Sequence, residues 1–428
     1  MAKLAKNALS DSLQTVRGAL QRLTMYLRAI RIDSFSYYMA YTLYAISCFL
    51  EHTMFESVFG LSKGVLSNGI HLVVLFLLAV KYILQRMPLK GWVITVIIVS
   101  VSFISWRQSG EGWLFWLALF MVCAEDADIK ILAGIIACVV AVLFPITVIF
   151  ANAGVIENYI SIRAGITRQA LGFAHPNAFG FYLLLFCTAF SVLRFGQEPL
   201  PNILLIVAIV PVNLVVADSR ASAALSILQI ILLLIFYAVK TPRMRKALST
   251  LFIIGTMLII SVSYWLMVNY DASNALEAML DSALSGRIVL AHKYYLMQPL
   301  TLFGSSFSQF APIYMDNGVP SSFTVDNAYC HLLLRYGIVP TLLFLCGLIA
   351  LLVKLTREGR WDYLLFGLVL MCFYGLGESL GIRVECNFFL IAMVPELLHA
   401  NVDSHSGAGQ ATRNYIRAAN SLTERTIR

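Results

Sequence analysis

Long apolar stretches separated by short polar segments dominate the chain from one end to the other. About twenty apolar residues are needed to cross the hydrocarbon core of a bilayer. Twelve stretches approach that length, and the pattern therefore predicts an all-α polytopic membrane protein with about 12 transmembrane helices. The predicted spans lie at about 35 to 50, 65 to 84, 91 to 106, 112 to 124, 131 to 151, 177 to 194, 200 to 217, 221 to 239, 250 to 269, 337 to 353, 363 to 380 and 385 to 400.

Two connections are much longer than the others, at 153 to 175 and at 270 to 325 between the ninth and tenth spans. Long loops in compact proteins are usually functional or disordered. The second contains a predicted helix from Ser285 to about Met297 and an aromatic, glycine-containing run from Phe303 to Tyr314. An ordered loop is therefore the favoured interpretation.

The chain divides into three predicted segments: 1–34, a transmembrane domain at 35–400, and a basic tail at 401–428. In the first segment apolar residues recur at spacings of three and four with arginines between them. This pattern predicts an amphipathic helix on the cytoplasmic face of the membrane, with a partner helix in the cytoplasm as the alternative. The apolar positions are Leu13, Val16, Leu20, Leu23, Leu27 and Ile30.

Composition excludes a water-soluble enzyme, because 59% of the residues are apolar and only 13% are charged. The net charge of +8 is interpreted as an orientation signal rather than as a sign of nucleic-acid binding. Most Lys and Arg residues lie on one side of the membrane if both termini are cytoplasmic, which predicts that topology. The basic residues left on the outer side are Lys63, Arg107, Arg163, Arg168, Arg220, Arg287, Lys293, Arg335 and Arg383.

The eight cysteines contain no Cys-x-x-Cys pair, so neither a zinc site nor a disulfide framework is indicated. We also find no carboxylate cluster typical of a divalent metal on an outer loop. The sequence therefore predicts no metal and no cofactor.

Outer basic residues oppose the orientation rule, so each of them needs an explanation. Arg163 and Arg168 precede the sixth span, where Pro176 can occupy the first helical turn and leave His175 at the N-cap. His175 then either caps the helix or contacts a substrate. Arg220 either neutralises Asp218, two residues away, or stands as a fixed cation at the mouth of a cavity.

The motif Ser285-Gly-Arg287 opens the predicted loop helix, with Ser285 as its N-cap. Arg287 then projects from the first turn, where the positive end of the helix favours an anion. Since a cation in this position is unfavourable for the helix alone, function is the better explanation.

A polar stripe enters the tenth span, because Asn327, His331 and Arg335 are spaced by four residues, with Asp326 as a predicted N-cap. Such a stripe is costly in hydrocarbon and normally faces a bundle interior or a water-filled cavity.

Glu378 follows Gly375 and Gly377 at the end of the eleventh span. It is either paired with Arg383 or Arg220, or it is a candidate base. The glycines indicate close packing or a backbone that a ligand approaches. Several arginines that face one cavity describe a site for an anion, and at a membrane surface the simplest such anion is a lipid phosphate or diphosphate.

The sequence resembles a known family in four ordered motifs: Leu171-Gly-Phe-Ala-His-Pro-Asn-Ala-Phe-Gly180, Asp218-Ser-Arg220, Ser285-Gly-Arg287, and Asp326-Asn-Ala-Tyr329 through Arg335-Tyr-Gly337. These are similar to Wzy-type polymerases of O-antigen and capsular polysaccharide, which share a superfamily with the O-antigen ligases. The resemblance covers about residues 35 to 400. Ligases typically carry His-Asn or His-Ser where this chain has Asp326-Asn327, which favours a polymerase.

The resemblance implies a GT-C-type fold and a multi-pass enzyme of the bacterial cytoplasmic membrane, active on the extracytoplasmic side. The implied reaction is metal-independent transfer of a glycan from an undecaprenyl-diphosphate carrier to the non-reducing end of a lipid-linked repeat unit. Implied partners are these lipid-linked oligosaccharides, membrane lipids, a chain-length regulator and a flippase. The alternatives are an O-antigen ligase and a transporter or flippase of lipid-linked oligosaccharide.

Residue roles follow from that reaction. We expect Arg287 and Arg220 to hold the donor diphosphate, with Arg163 or Arg168 helping, and a carboxylate or imidazole to accept the acceptor's proton. The base candidates are, in order, Asp326, His175 and Glu378. The remaining predicted substrate contacts are Asn177, Asn327, His331 and Arg335.

Overall fold

The computed structural model describes residues 32–55, 63–85, 87, 89–163, 165–306, 314–316, 319–321 and 325–399. Most of the predicted amphipathic segment at 1–34 and the whole basic tail at 401–428 lie outside the described residues. Residues 32 to 34 belong to the first helix.

Each of the twelve predicted apolar stretches contains helix. The helices are α1 Ile32–Glu51, α2 Lys63–Leu84, α3 Leu89–Ser109, α4 Trp113–Val122, α5 Ile129–Asn152, α6 Pro176–Leu193, α7 Leu200–Val215, α8 Arg220–Ala238, α9 Pro242–Asn269, α10 Ala275–Ala283, α11 Arg287–Met297, α12 Ala328–His331, α13 Ile338–Arg357, α14 Tyr363–Tyr374 and α15 Met393–His399. Within the described residues, seven helices are long and apolar enough to cross a membrane. An all-α polytopic membrane protein is thus confirmed.

Several predicted spans differ from the helices. The eleventh was predicted to reach residue 380, but α14 ends at Tyr374 because glycines and Glu378 follow, and a short 3₁₀ helix covers Ser379–Ile382. The twelfth begins as the 3₁₀ helix Phe388–Ala392 before α15. Two small antiparallel hairpins interrupt the helical pattern, formed by β1 Ile160–Arg163 with β2 Ile166–Gln169 and by β3 Tyr314–Asp316 with β4 Val319–Ser321.

Hydrogen bonds between the segments that join the helices show which of these segments lie at the same end of the helix bundle. At one end Ala174 N–H donates to the His52 carbonyl, and Gln169 N–H donates to the Val216 carbonyl, at 2.8 and 3.0 Å. We call this the long-loop end, because both long connections begin and finish there. At the opposite end Trp361 Nε1 donates to the Phe236 carbonyl at 2.9 Å. The two predicted long loops therefore share one end of the bundle.

Helix α6 lies at the centre of the core. In an 18-residue stretch of each helix, 72% of the α6 residues are buried, compared with 22% in α2 and 22% in α3. It packs against α5, α7 and α8. The residues that follow α14 also enter the core, where Phe388 and Phe389 are fully buried. A central α6 holds its N-terminal residues, beginning at Pro176, in the middle of the long-loop end.

A close backbone crossing fixes the start of α13. Gly304 and Gly337 both have φ near +90°, and a Cβ on Gly337 would lie 2.3 Å from the Gly304 nitrogen. Only glycine combines that dihedral with so close an approach. Ile338 N–H also donates to the Thr301 carbonyl at 2.9 Å. The crossing ties residues 301–304, within the 270 to 325 connection, to the start of α13.

Candidate functional site

The β1–β2 hairpin positions Arg163 and Arg168. In its register Arg163 pairs with Ile166 and Ser161 pairs with Arg168, so both arginines point to the same face. Arg168 is only 5% exposed, and its Nε donates to the Ala217 carbonyl at 3.0 Å. The hairpin is thereby docked against the turn between α7 and α8, with its arginines facing the bundle.

That turn places Asp218 between two arginines. Arg163 donates from Nη2 and Nε to Asp218 Oδ2 at 2.5 and 3.1 Å, and Arg220 Nε donates to Oδ1 at 3.1 Å. Burial would raise the pKa of the Asp218 carboxyl, but the hydrogen bonds and charges of the two arginines outweigh it and lower the pKa. The alternative in which Arg220 pairs with Asp218 is therefore confirmed, and one carboxylate serves two cations.

Arg287 lies in the first turn of α11, as predicted, and is the first residue of that helix. Its Nε donates to Asp326 Oδ2 at 3.0 Å and its Nη2 donates to Glu378 Oε1 at 2.7 Å. Burial would lower the pKa of the guanidinium, but the charges of Glu378 and Asp326 raise it. Arg287 therefore stays charged and links three segments of the chain.

Some of the predicted pairings and caps around Arg287 are wrong. Glu378 pairs with Arg287 rather than with Arg383 or Arg220. Ser285 does not cap α11, because Gly286 occupies that position and Asp281 Oδ1 accepts from the N–H groups of residues 288 and 289. No clear sequence pattern pointed to Asp281, which lies in the preceding helix α10.

Asn177 joins the two halves of the site. Its Oδ1 accepts from Arg168 Nη2 at 2.6 Å, and its Nδ2 donates to Glu378 Oε1 at 3.2 Å. The amide orientation is the one that satisfies both neighbours. A continuous hydrogen-bonded chain thus runs through Arg168, Asn177, Glu378, Arg287 and Asp326. We call these five residues, together with Arg163, Asp218 and Arg220, the arginine cluster.

His175 borders the arginine cluster. It is the N-cap of α6, as predicted, and its Nδ1 accepts from the Asn177 N–H at 3.1 Å. The ring keeps an exposed surface, yet surrounding protein displaces part of its water. That desolvation, followed by the charge of Arg168, lowers the pKa of His175 to about 4. At neutral pH the imidazole is therefore uncharged, and only its Nε2 is left for another partner.

The cluster combines four guanidinium groups with three carboxyl groups, which leaves at least one positive charge in excess. Its exposure is uneven. Arg220 is 59% exposed and Asp326 31%, whereas Arg287 and Glu378 are 12% exposed. A Cβ on Gly377 would lie 3.5 Å from Arg287 Nη1, so the glycine allows the backbone to approach the guanidinium. The most exposed members of the cluster are therefore Arg220 and Asp326.

The predicted stripe of Asn327, His331 and Arg335 is wrong as a single face. These residues lie on the short helix α12 and on a π-helical turn at Leu332–Tyr336, both of which end before Gly337. Asn327, and not Asp326, is the N-cap, because its Oδ1 accepts from the N–H groups of the two residues after Ala328. Asn327 Nδ2 donates to Ser263 Oγ at 3.0 Å.

His331 and Arg335 meet at Glu111, an acid that the sequence analysis did not select. Glu111 Oε2 lies 3.0 Å from His331 Nε2 and accepts from Arg335 Nε at 3.1 Å, while Trp113 stacks on the His331 ring. Burial would raise the pKa of Glu111, but His331 and then Arg335 lower it. We call these four residues the Glu111 group. An acid in the outer connection between the third and fourth spans was the available signal.

Arg383 also belongs to a buried set that sequence reasoning missed. Its Nε lies 2.5 Å from Glu385 Oε1, its Nη1 lies 3.1 Å from His52 Nε2, and its guanidinium covers the Trp113 ring. Both Arg383 and Glu385 are at most 6% exposed. The available sequence signal was the spacing of Arg383 and Glu385, which are two residues apart at the start of the last apolar stretch.

Among the described residues no group of three His, Cys, Asp or Glu side chains could hold a metal ion. Comparisons with protein-family models, with curated proteins and with solved structures found no match. Function is therefore inferred from the geometry of the arginine cluster.

Proposed function

We propose that the protein is a membrane glycosyltransferase that polymerises polysaccharide. It transfers a glycan from an undecaprenyl-diphosphate-linked donor to the non-reducing end of a lipid-linked repeat unit, with the long-loop end outside the bacterial cytoplasmic membrane and twelve spans below it. One observation carries the proposal: Arg287 lies between Asp326 and Glu378 and is linked through Asn177 to Arg168. A cation, two acids and a second cation thus meet at one end of an apolar bundle.

Diphosphate binding uses the charge excess of the cluster. Guanidinium groups donate in parallel to phosphate oxygens and keep their charge at every relevant pH. Arg220 is exposed and Arg287 can exchange a carboxylate for a phosphate, so these two contact the diphosphate. Arg163 and Arg168 hold the hairpin over the cluster. As the bond to the leaving diphosphate breaks, its developing charge is stabilised by cations that are already in place.

The acceptor hydroxyl attacks the anomeric carbon, its proton moves to a carboxylate, and the bond between that carbon and the diphosphate oxygen breaks. A base must lie within hydrogen-bond reach of this proton. Asp326 suits the role, since it is the most exposed carboxylate of the cluster and loses its partner when Arg287 turns to phosphate. Glu378 Oε1 keeps Asn177 as a donor, and the low pKa of His175 makes it a weak base.

The decisive experiment gives purified protein in liposomes a defined undecaprenyl-diphosphate-linked repeat unit and separates the products by length. A ladder of longer glycans supports the proposal. Transfer only to an added acceptor of another kind would identify a ligase, and movement between leaflets at constant glycan length would identify a transporter.

A variant pair tests the assigned base. Asp326→Asn should reduce the elongation rate about 100-fold or more, as expected for a lost general base. Asp362→Asn is the control, because Asp362 also accepts from an arginine and lies at the opposite end of the bundle. Equal rates for the two variants would exclude Asp326 as the base.

A further inference from the structure

An apolar groove lies between α3, α4, α13 and α15. Its volume is about 380 Å³, within the range of ligand pockets. Of its lining residues only Ser102 has a hydroxyl group, and that hydroxyl donates to the Val99 carbonyl at 3.1 Å within its own helix. A buried water needs two or more polar partners, which this lining does not offer, so the groove accepts hydrocarbon and not water.

The groove ends beneath the Glu111 group. Leu114 lines the groove directly after Trp113, and Pro340 lines it five residues after Arg335. Ser105 Oγ donates to the Tyr336 carbonyl at 2.9 Å, which fixes α3 beside the π-helical turn. A molecule in the groove therefore has its chain among apolar helices and its head towards the Glu111 group, which contains Arg335.

The short segment from Asp326 to Arg335 runs between the arginine cluster and this head position. Asp326 and Arg335 are nine residues apart and contact different partners, since Asp326 accepts from Arg287 whereas Arg335 donates to Glu111. A polymerase holds two lipid-linked molecules, and the acceptor must present its glycan to the base while its own phosphate lies elsewhere. The separation between Arg335 and Asp326 provides that arrangement.

We propose that this groove binds the polyprenyl chain of the lipid-linked acceptor, with the acceptor's phosphate beside Arg335. This inference rests on the proposed polymerase function, because that function is what makes the bound lipid an acceptor. The binding of a phosphate-headed polyprenyl chain can be measured without any reaction.

Two exposed cysteines offer a matched pair of variants. Cys346 lines the groove, whereas Cys138 is exposed on α5 and is not part of the lining. Cys346→Trp should fill the groove, and Cys138→Trp adds the same side chain to another exposed position. Ala350→Phe, a second substitution in the lining, provides an independent test should Cys346→Trp misfold.

The experiment is native mass spectrometry of the full chain with added undecaprenyl phosphate, and with phosphatidylglycerol as competitor. We expect two undecaprenyl phosphates per wild-type chain and per Cys138→Trp chain, and one per Cys346→Trp or Ala350→Phe chain. Unchanged binding in both groove variants would overturn the site. Displacement of the second molecule by equimolar phosphatidylglycerol would overturn its assignment to a polyprenyl lipid.

The elongation assay keeps the two proposals apart. Two binding sites without any elongation would contradict the polymerase and leave a polyprenyl-phosphate site in the groove. Elongation with wild-type KM for the repeat unit in both groove variants would contradict the acceptor site alone.

Discussion

Replacement of Arg287 by alanine tests the arginine cluster most directly. The guanidinium contacts Asp326 and Glu378 at 3.0 and 2.7 Å and is 12% exposed. Its loss leaves Glu378 with only Asn177 among its described donors, whereas Asp326 can be solvated by water. Breaking a buried pair costs about 3 to 5 kcal/mol, and the exposure of Asp326 places the expected loss of stability near the lower figure.

The effect on activity should be larger than this loss of stability explains. Removing one preformed donor to a developing charge typically costs about 100- to 1,000-fold in rate, or roughly 3 to 4 kcal/mol. We therefore expect Arg287→Ala to retain lipid-linked single units and to form almost no ladder. Arg287→Lys should recover little, because an ammonium cannot donate to two acceptors in the fork geometry of a guanidinium.

Arg360 is the matched control for this variant. It donates from Nε to Asp362 at 2.7 Å and from Nη1 to Glu396 at 2.5 Å, at the opposite end of the bundle. Arg360→Ala should lower the melting temperature yet preserve elongation. The double variant Arg287→Ala with Glu378→Gln removes the unpaired buried charge and should regain stability without activity. Long chains at the wild-type rate from Arg287→Ala would refute the phosphate clamp.

Three further predictions concern stability, the pH dependence of stability, and the elongation rate. Gly337→Ala should destabilise the protein by about 3 kcal/mol or more, because the new Cβ would overlap the Gly304 nitrogen. The control Gly154→Ala meets no atom within 4 Å and should cost only about 1 kcal/mol for its positive φ. Thermal unfolding compares the two variants, and equal losses of stability would contradict the close crossing of Gly304 and Gly337. Since the pKa of His175 is lowered from 6.5 to about 4, protonation favours the unfolded chain, so its contribution to stability is present above pH 6.5 and is lost as the pH falls towards 4. His175→Asn keeps a capping oxygen and should flatten that part of the pH profile of melting temperature; an unchanged profile would exclude His175. Arg168→Lys cannot donate to both Ala217 and Asn177 and should slow elongation about tenfold, whereas a wild-type rate would show that the link through Asn177 is dispensable.

Local sequence is sufficient to predict most of the helical segments and both long connections. These features depend on local properties, since twenty apolar residues in hydrocarbon must satisfy their own backbone hydrogen bonds and proline or a capping side chain marks a helix start. The prediction of His175 as a cap before Pro176 and of Arg287 in the first turn of a helix succeeded for this reason.

Which charges meet depends on how distant parts of the chain pack together. Asn177 and Glu378 are 201 residues apart and Arg335 and Glu111 are 224 apart, and no local pattern encodes such a pairing. Arg287 could have faced any acid at the long-loop end. The position of α11, which packs against α9, places its guanidinium between Asp326 and Glu378. Asn327 caps α12 and contacts Ser263, whereas His331 and Arg335 both contact Glu111. The stripe divides because a cap residue, a four-residue helix and a π-helical turn replace the regular helix from which it was inferred.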